Sequence, residues 1–530
     1  MLAAAAPCAA QPWHFTDVTQ QAGVLYQTGF AAGLSSPPRV MGGGVAAGDY
    51  DGDGWVDLYV IRGDIGPNLL LHNKGDGTFE EVGAAAGLTL RGGSGPIFVD
   101  IDGDGRLDLI VGGIDGARTH VFHNLGNGRF ADVTDTANIR TDPMDVYSIA
   151  AGDYDRDGYL DLMTTHWASG TRPRLWHNNG NGTFTEVSAA AAGLSSGPAQ
   201  IFSFTANFTD INNDGWPDIL LSADFGTSQI YINNKNGTFT RTTNSVISDQ
   251  NGMGSAVGDY DNDGNLDWFV SSIFDLNPSP AASYGTTGNR LYRNRGDGTF
   301  EDVTDKAGVR QGYWGWGASF SDFNNDGYLD IFHVNGFPGS KFETDPARLF
   351  VSNGNGTFTQ RAEELGIADT GEGRGIVVFD YDHDGDLDVF ITNAGQQTKL
   401  YRNDGGNALH WLDVRLQGVP PNTQAIGAKI YLTANGITQM REVRAGSNFV
   451  SENPTEAHFG LGSATSAVVR VVWPDGVTSD PTIFSANQIV GMRAAGLEVQ
   501  AAVPTLGPRA LILFALLLAS AGVLLLPRLR

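Results

Sequence analysis

Residues 48–58 read GDYDGDGWVDL, which puts Asp49, Asp51, Asp53 and Asp57 at positions 1, 3, 5 and 9 of a nine-residue phrase with Gly54 at position 6. The phrase returns six more times. Its copies supply Asp100, Asp102, Asp104 and Asp108; Asp153, Asp155, Asp157 and Asp161; Asp210, Asn212, Asp214 and Asp218; Asp259, Asp261, Asp263 and Asp267; Asp322, Asn324, Asp326 and Asp330; and Asp380, Asp382, Asp384 and Asp388. Oxygen donors at alternating positions, beside a glycine that lets the chain turn back sharply, are what a hard cation of the calcium type needs. Carboxylates about 4 Å apart repel by roughly 4 kcal/mol per pair at an effective dielectric near 20, so a closed loop of this kind requires a cation. Ca2+ is the expected cofactor, about one ion per copy and seven per chain. An EF-hand would need a Glu at position 12. That position is Val60 in the first copy, and the flanks VAAGDY and DLYVI read as short strands.

The composition agrees. Five copies carry four acids at ligand positions and two carry three, 26 in all, which equals the deficit behind the formal charge of -26. The other 33 acids balance 33 Lys and Arg. Acidity therefore points to metal and not to a cationic partner, and nucleic acid is disfavoured because no basic excess exists to displace counterions. A single cysteine, Cys8, excludes an internal disulfide, and 71 glycines suit a turn-dense all-β chain. The Ala-rich start, residues 1–10, reads as the remnant of a signal peptide.

A second phrase runs between the acid loops at fixed phase, as in LLLHNKGDGTFEEV and LYRNRGDGTFEDVT. Asn-Gly and Asp-Gly between alternating apolar residues make hairpin turns. Each unit is then strand, loop, strand and hairpin, with first-Asp spacings of 51, 53, 57, 49, 63 and 58 residues. Periods near 50 with about four strands each predict propeller blades. The strand around Phe15-Thr16-Asp17-Val18-Thr19 has no hairpin before it and the seventh copy has no such strand after it, so the N-terminal strand is expected to complete the last blade of a ring over 15–406.

On these phrases the chain resembles FG-GAP or VCBS repeats, the blades of integrin-α-like propellers, and the resemblance implies Ca2+ in the loop between the first two strands of each blade. Residues 410–493, with WLDVRLQG, AIGAKIYL, REVRAGSNFVSE and HFGLG, alternate like a small β-domain. They resemble the ASPIC/UnbV domain that follows such propellers in the cartilage acidic protein family. After a linker at 494–509 comes a 17-residue apolar run, 510–526, about 25 Å long as a helix, and a basic end. This order resembles an IPTL-type PEP-CTERM sorting signal, which implies export, a transmembrane helix and a sorting protease of the exosortase type; a permanent anchor is the alternative. The expected fold class is all-β: a seven-bladed propeller with calcium loops, a small β-domain and a C-terminal transmembrane helix.

No catalytic constellation is visible. His72, His123 and His177 share one repeat position that other copies fill with Arg293, Arg402, Ile232 or Ser352, and read as turn residues. His458 reads as a structural hydrogen-bonder. Counting back from the first Asp of each loop by six gives Tyr147, Phe204, Trp316 and Arg374, and by eight gives Trp314. If these start the innermost strands, as the resemblance implies, they ring the mouth opposite the calcium loops and form the candidate ligand surface for a glycan or protein; blade packing is the alternative reading. The function that fits is a secreted or envelope-associated, non-enzymatic binding or adhesion module. A polysaccharide-degrading enzyme on the same scaffold, and a purely structural surface or matrix protein, are the alternatives.

Overall fold

The computed structural model describes residues 13–187, 193–194, 196–242, 246–278 and 287–495. Each acid phrase lies between two runs of apolar residues and joins the first strand of an antiparallel sheet to its second, as between Val45–Gly48 and Asp57–Val60. The Gly-containing hairpins then add the third and fourth strands. Seven sheets of this kind follow one another, with innermost strands Val45–Gly48, Ser94–Val99, Ile149–Gly152, Ser203–Thr209, Ser255–Gly258, Gly315–Ser321 and Gly373–Phe379. Each innermost strand neighbours the next, and Gly373–Phe379 returns to Val45–Gly48, so the sheets form a closed ring consistent with a propeller. The seventh sheet takes its outer strand from the other end of the chain: His14–Asp17 pairs with Lys399–Asp404, Phe15 opposite Asn403. The seam of the ring is thus itself a β-ladder.

Aromatics at position 2 of the loops fill the spaces between blades. Tyr50 packs on Phe98 and Phe130 of the next blade, and Tyr260 on Phe320 and Phe358. Such pairs contribute about 0.5–1.5 kcal/mol beyond the area they bury.

After the ring come two small sheets. His410–Gln417 lies between Ala457–Gly462 and Ile489–Arg493, and Lys429–Ala434 lies between Ile437–Glu442 and Ser466–Val472, with Thr482–Ser485 outside. Their core is continuous with the second and third blades, where Leu412, Phe459 and Val469 join Ile97, Val99 and Leu162.

The expected fold class is corrected in one respect. Among the described residues no helix is long and apolar enough to cross a membrane. The longest is the five-residue Pro37–Met41, because turns every few residues leave room only for single helical turns between strands. The apolar run 510–526, most of the linker before it and the leader at 1–10 lie outside the described residues.

Candidate functional site

The acid loops share one geometry. The Gly at position 6 has φ between +83° and +96° in all seven copies, from Gly54 to Gly385, and position 4 is also left-handed, with φ from +57° at His383 to +78° at Gly52. Only glycine adopts the first of these without strain, and Asn or Gly suits the second. The two reversals turn the backbone N–H groups inward. In the first loop Asp49 Oδ1 accepts from Asp53 N at 3.1 Å, Asp49 Oδ2 from Gly54 N at 2.9 Å, and Asp53 Oδ1 from Trp55 N at 2.9 Å. The side chains are held pointing at one another. Oxygens of Asp49, Asp51 and Asp53 lie within 4.8 Å of each other, as do those of Asp100, Asp102 and Asp108.

The electrostatics fit a hard divalent cation. Burial, reinforced by neighbouring carboxylates, pushes Asp57 up to about 9, Asp218 to about 8 and Asp153 and Asp259 to about 7. Asp267, Asp330 and Asp388 rise well above the usual carboxylate range for the same reasons. Buried oxygens of Asp153, Asp155, Asp261 and Asp382 have no hydrogen-bond donor. Oxygen-rich clusters that resist ionisation and leave acceptors unmatched suit Ca2+ held by positions 1, 3, 5 and 9.

Two regularities escape the sequence reading. The first is the Asn that opens each hairpin, which looks like a turn residue. Its backbone N–H donates to the position-9 Asp, as Asn294 to Asp267 at 2.7 Å, while its Nδ2 reaches the position-2 carbonyl of the preceding blade's loop. The donations run from Asn73 to Tyr381, Asn124 to Tyr50, Asn178 to Ile101, Asn233 to Tyr154, Asn294 to Ile211 and Asn403 to Phe323, all at 2.7–2.8 Å. Every acid loop but that of the fifth blade is therefore fastened to the next blade. In the sixth blade Ser352 takes the Asn place, its N–H on Asp330 at 2.7 Å.

That alignment exposes the second regularity and corrects the reading of the histidines. With Ser352 in the Asn column, the residue before it is Val351. His72, His123 and His177 are not only turn residues: each Nδ1 lies 3.4 Å from the position-3 acid, Asp51, Asp102 or Asp155. Arg293 Nε lies 2.6 Å from Asp261, and the charge of Arg402 acts to lower Asp382 against its burial. The five loops with Asp at position 3 thus carry a cation or imidazole beside it. The two with Asn212 and Asn324 have Ile232 and Val351 there. The signal was present in the repeat columns, as a correlation between two positions twenty to thirty-two residues apart that folding brings together.

The small domain covers the loop face. Arg415 donates to Gly54 O at 2.9 Å, Arg156 to Pro474 O at 2.6 Å, Lys429 Nζ to Asp210 Oδ2 at 2.9 Å, and Thr423 to Asp100. His458 bridges Asp413, at 2.7 Å, and Asn325, at 2.6 Å. Residues 444–453 go further and enter the ring. Ser451–Glu452 pairs in parallel with Val45–Gly48. Asn448, Ser451, Glu452 and Asn453 accept from the inner-strand N–H groups of Ala318, Ile376, Phe98 and Val378 at 2.6–3.1 Å. Those donors lie on the unpaired inner edges of the blades, which would otherwise be left without partners. The fully buried Phe449 forms the tip, 5.2 Å from the ring of Trp316 and 5.5 Å from that of Phe204.

At the opposite mouth lies a cavity of about 420 Å3. Of the five residues expected there, Phe204, Trp314 and Trp316 line it, joined by Trp167, Phe225 and Phe337. Tyr147 stands edge-on behind Phe204, and Arg374 lies 4.4 Å from the Trp316 ring, with its guanidinium 3.7 Å from Glu372. Tyr147, Phe204, Trp316 and Arg374 are at most 1% exposed, so they are packed where the register suggested open faces. Phe449 packs on Phe204 and Trp316 from the axis, and Arg374 is tied down by donating to the carbonyls of Val40 at 2.6 Å and Gly336 at 3.1 Å. Trp167 and Phe225, in connections after second strands, carry no repeat register and were not foreseen.

A ring of repeated four-stranded sheets, each bearing one acid loop at the same place, defines a repeat protein of propeller type. Residues 49–111, 100–164, 166–221, 210–270, 281–333 and 342–391 match the FG-GAP-like repeat, and the chain belongs to that family. Residues 418–497 match ASPIC and UnbV. Cartilage acidic protein 1 of Mus musculus is 27% identical over 499 residues, covering 83% of this chain and 72% of that protein; the Homo sapiens protein is 27% identical over 492 residues, with 83% and 70% covered. Among solved structures, an Agrocybe aegerita lectin specific for non-reducing terminal N-acetylglucosamine is similar at 17% identity and a TM-score of 0.40, over 74% of this chain and 93% of that one.

Proposed function

We propose that the protein is a calcium-stabilised, non-enzymatic binding module that takes its ligand at the mouth cavity. The observation that carries this is the cavity's lining. Aromatic walls surround it, and among the described residues that line it Asp224 is the one titratable group. A hydrolase or lyase needs a second acid or a base within reach of the first, whereas a binding site needs apolar surface and a few placed polar groups. The acid clusters lie at the other end of the strands, in the loops, where Ca2+ held by positions 1, 3, 5 and 9 fastens each blade. In this reading the ions are structural, the Asn donations pass their effect from blade to blade, and the small domain braces the ring from inside. Loops of this kind fill at the Ca2+ levels found outside cells, which supports an exported protein at the envelope or beyond. Glycan and peptide arrays probed with the native protein and with Trp167→Ala test it. Binding that needs Ca2+ and falls at least tenfold in the variant is expected; turnover of a polysaccharide, or binding indifferent to Trp167, would overturn it.

A further inference from the structure

The lining of the mouth cavity includes one carboxylate, Asp224, and one amide, Asn251, beside the hydroxyls of Ser35 and Ser36. Asp224 accepts from Trp167 Nε1 at 3.0 Å, from Asn251 Nδ2 at 2.6 Å and from its neighbour Phe225 N at 3.0 Å. All three donors are neutral. Among the described residues no lysine, arginine or histidine charge acts on this carboxylate, in contrast to the paired acids elsewhere, such as Asp275 with Lys341. Arg374, behind Trp316, is matched by Glu372. Asn251 is 3% exposed, lines the cavity, and its Oδ1 has no donor. The cavity thus offers an uncompensated carboxylate and an unsatisfied amide oxygen.

The aromatic walls carry the same sign. Trp167 stacks near-parallel to Phe204 at 6.2 Å, Phe202 stands edge-on to Phe225 at 4.9 Å, and across the cavity Trp314 stacks on Phe337 at 4.2 Å. Ring faces are electron-rich and attract cations, most strongly on Trp and where water is excluded. A carboxylate with no counter-ion, a bare acceptor and several ring faces are complementary to a positive group with an apolar skin.

We infer that the mouth cavity binds a small organic cation of the methylated ammonium class, its charge facing Asp224 and its methyl groups against Trp167 and the Trp314 wall. The volume, about 420 Å3, falls in the range of small-molecule sites and accommodates such a group with a short substituent. This rests on the reading of the mouth as the binding site and names its ligand class.

The test is calorimetric titration of the calcium-loaded full chain with choline and with choline's neutral tert-butyl isostere. Choline is expected to bind at least tenfold more tightly than the isostere. Asp224→Asn should abolish that preference while leaving weak isostere binding and the melting temperature in place, and Trp167→Leu should weaken choline at least fivefold. Equal binding of the two compounds would overturn the cationic class while leaving the mouth as a binding site. Binding of neither, together with array ligands that respond to Trp167→Ala, has the same consequence. Choline binding untouched by both Asp224→Asn and Trp167→Leu would place the cation elsewhere and overturn the inference. If Trp167→Leu melts early, Asp224→Asn alone decides.

Discussion

Replacing Asn294 by Ala should cost the ring about 3–5 kcal/mol, out of proportion to a change of one small polar side chain. Asn294 is fully buried. Its Nδ2 donates to Ile211 O at 2.7 Å and to Leu266 O at 3.0 Å, and its Oδ1 accepts from Gly296 N at 2.9 Å. Alanine leaves two carbonyls and one N–H unmatched, and each such buried group costs about 1–3 kcal/mol. The Ile211 carbonyl belongs to the acid loop of the preceding blade, so that loop should also lose Ca2+ affinity. Equilibrium unfolding in urea at saturating Ca2+, followed by tryptophan fluorescence, reads the first effect, and Ca2+ titration reads the second. The sixth blade supplies the reciprocal change: Ser352→Asn should add the missing donation to the equivalent carbonyl, Tyr260, and gain about 1 kcal/mol. A loss below about 1 kcal/mol in Asn294→Ala, with Ser352→Asn neutral, would refute the idea that these residues fasten blade to blade.

Arg293→Met should lower the melting temperature in chelator more than in Ca2+, because the guanidinium holds Asp261 and Asp263 together when no ion does; equal losses in both conditions would remove that role. Phe449→Ala should destabilise by about 3–5 kcal/mol, as expected for a fully buried Phe at the tip of the plug, while truncating Leu276, which is 67% exposed, should change stability by under about 0.5 kcal/mol. Burial holds His333 down to about 3 in the folded chain, whereas the unfolded chain takes its proton near 6.5. The unfolded state therefore binds the proton first as pH falls, and the stability this histidine contributes is present above about pH 6.5 and lost progressively toward pH 3. Unfolding free energies of wild type and His333→Gln should accordingly converge as pH drops from about 7.5 to about 5; a constant difference would show that His333 is not buried neutral.

The blades were legible because their cues are local. An acid phrase with Gly at position 6, a hairpin Asn-Gly or Asp-Gly and an alternating strand each specify their own conformation, and the unaccompanied strand at Phe15 even indicated how the ring closes. What stayed hidden depends on residues far apart in the chain. Asn294 and Ile211 are 83 residues apart, and Asn448 reaches Ala318 across 130. The segment SNFVSEN falls by sequence within the small domain, yet its polar groups face the inner edges of the blades. The mouth residues show the same limit. Phe204 and Trp316 lie on innermost strands and Trp314 just before one, but register alone says nothing of Phe449, which packs against two of them. Asp224 lies after a strand end, outside any repeat column, and gave no signal.

If cations in the seven acid loops hold the ring together, as proposed, thermal unfolding of the same preparation in millimolar Ca2+ and in EDTA must differ. At free Ca2+ of 100 times Kd each site contributes about 2.7 kcal/mol, and linkage through the Asn donations makes the blades respond together. Chelation should lower the melting temperature by at least about 10 °C and restoration of Ca2+ should reverse it. Superimposable curves in Ca2+ and EDTA would contradict the account.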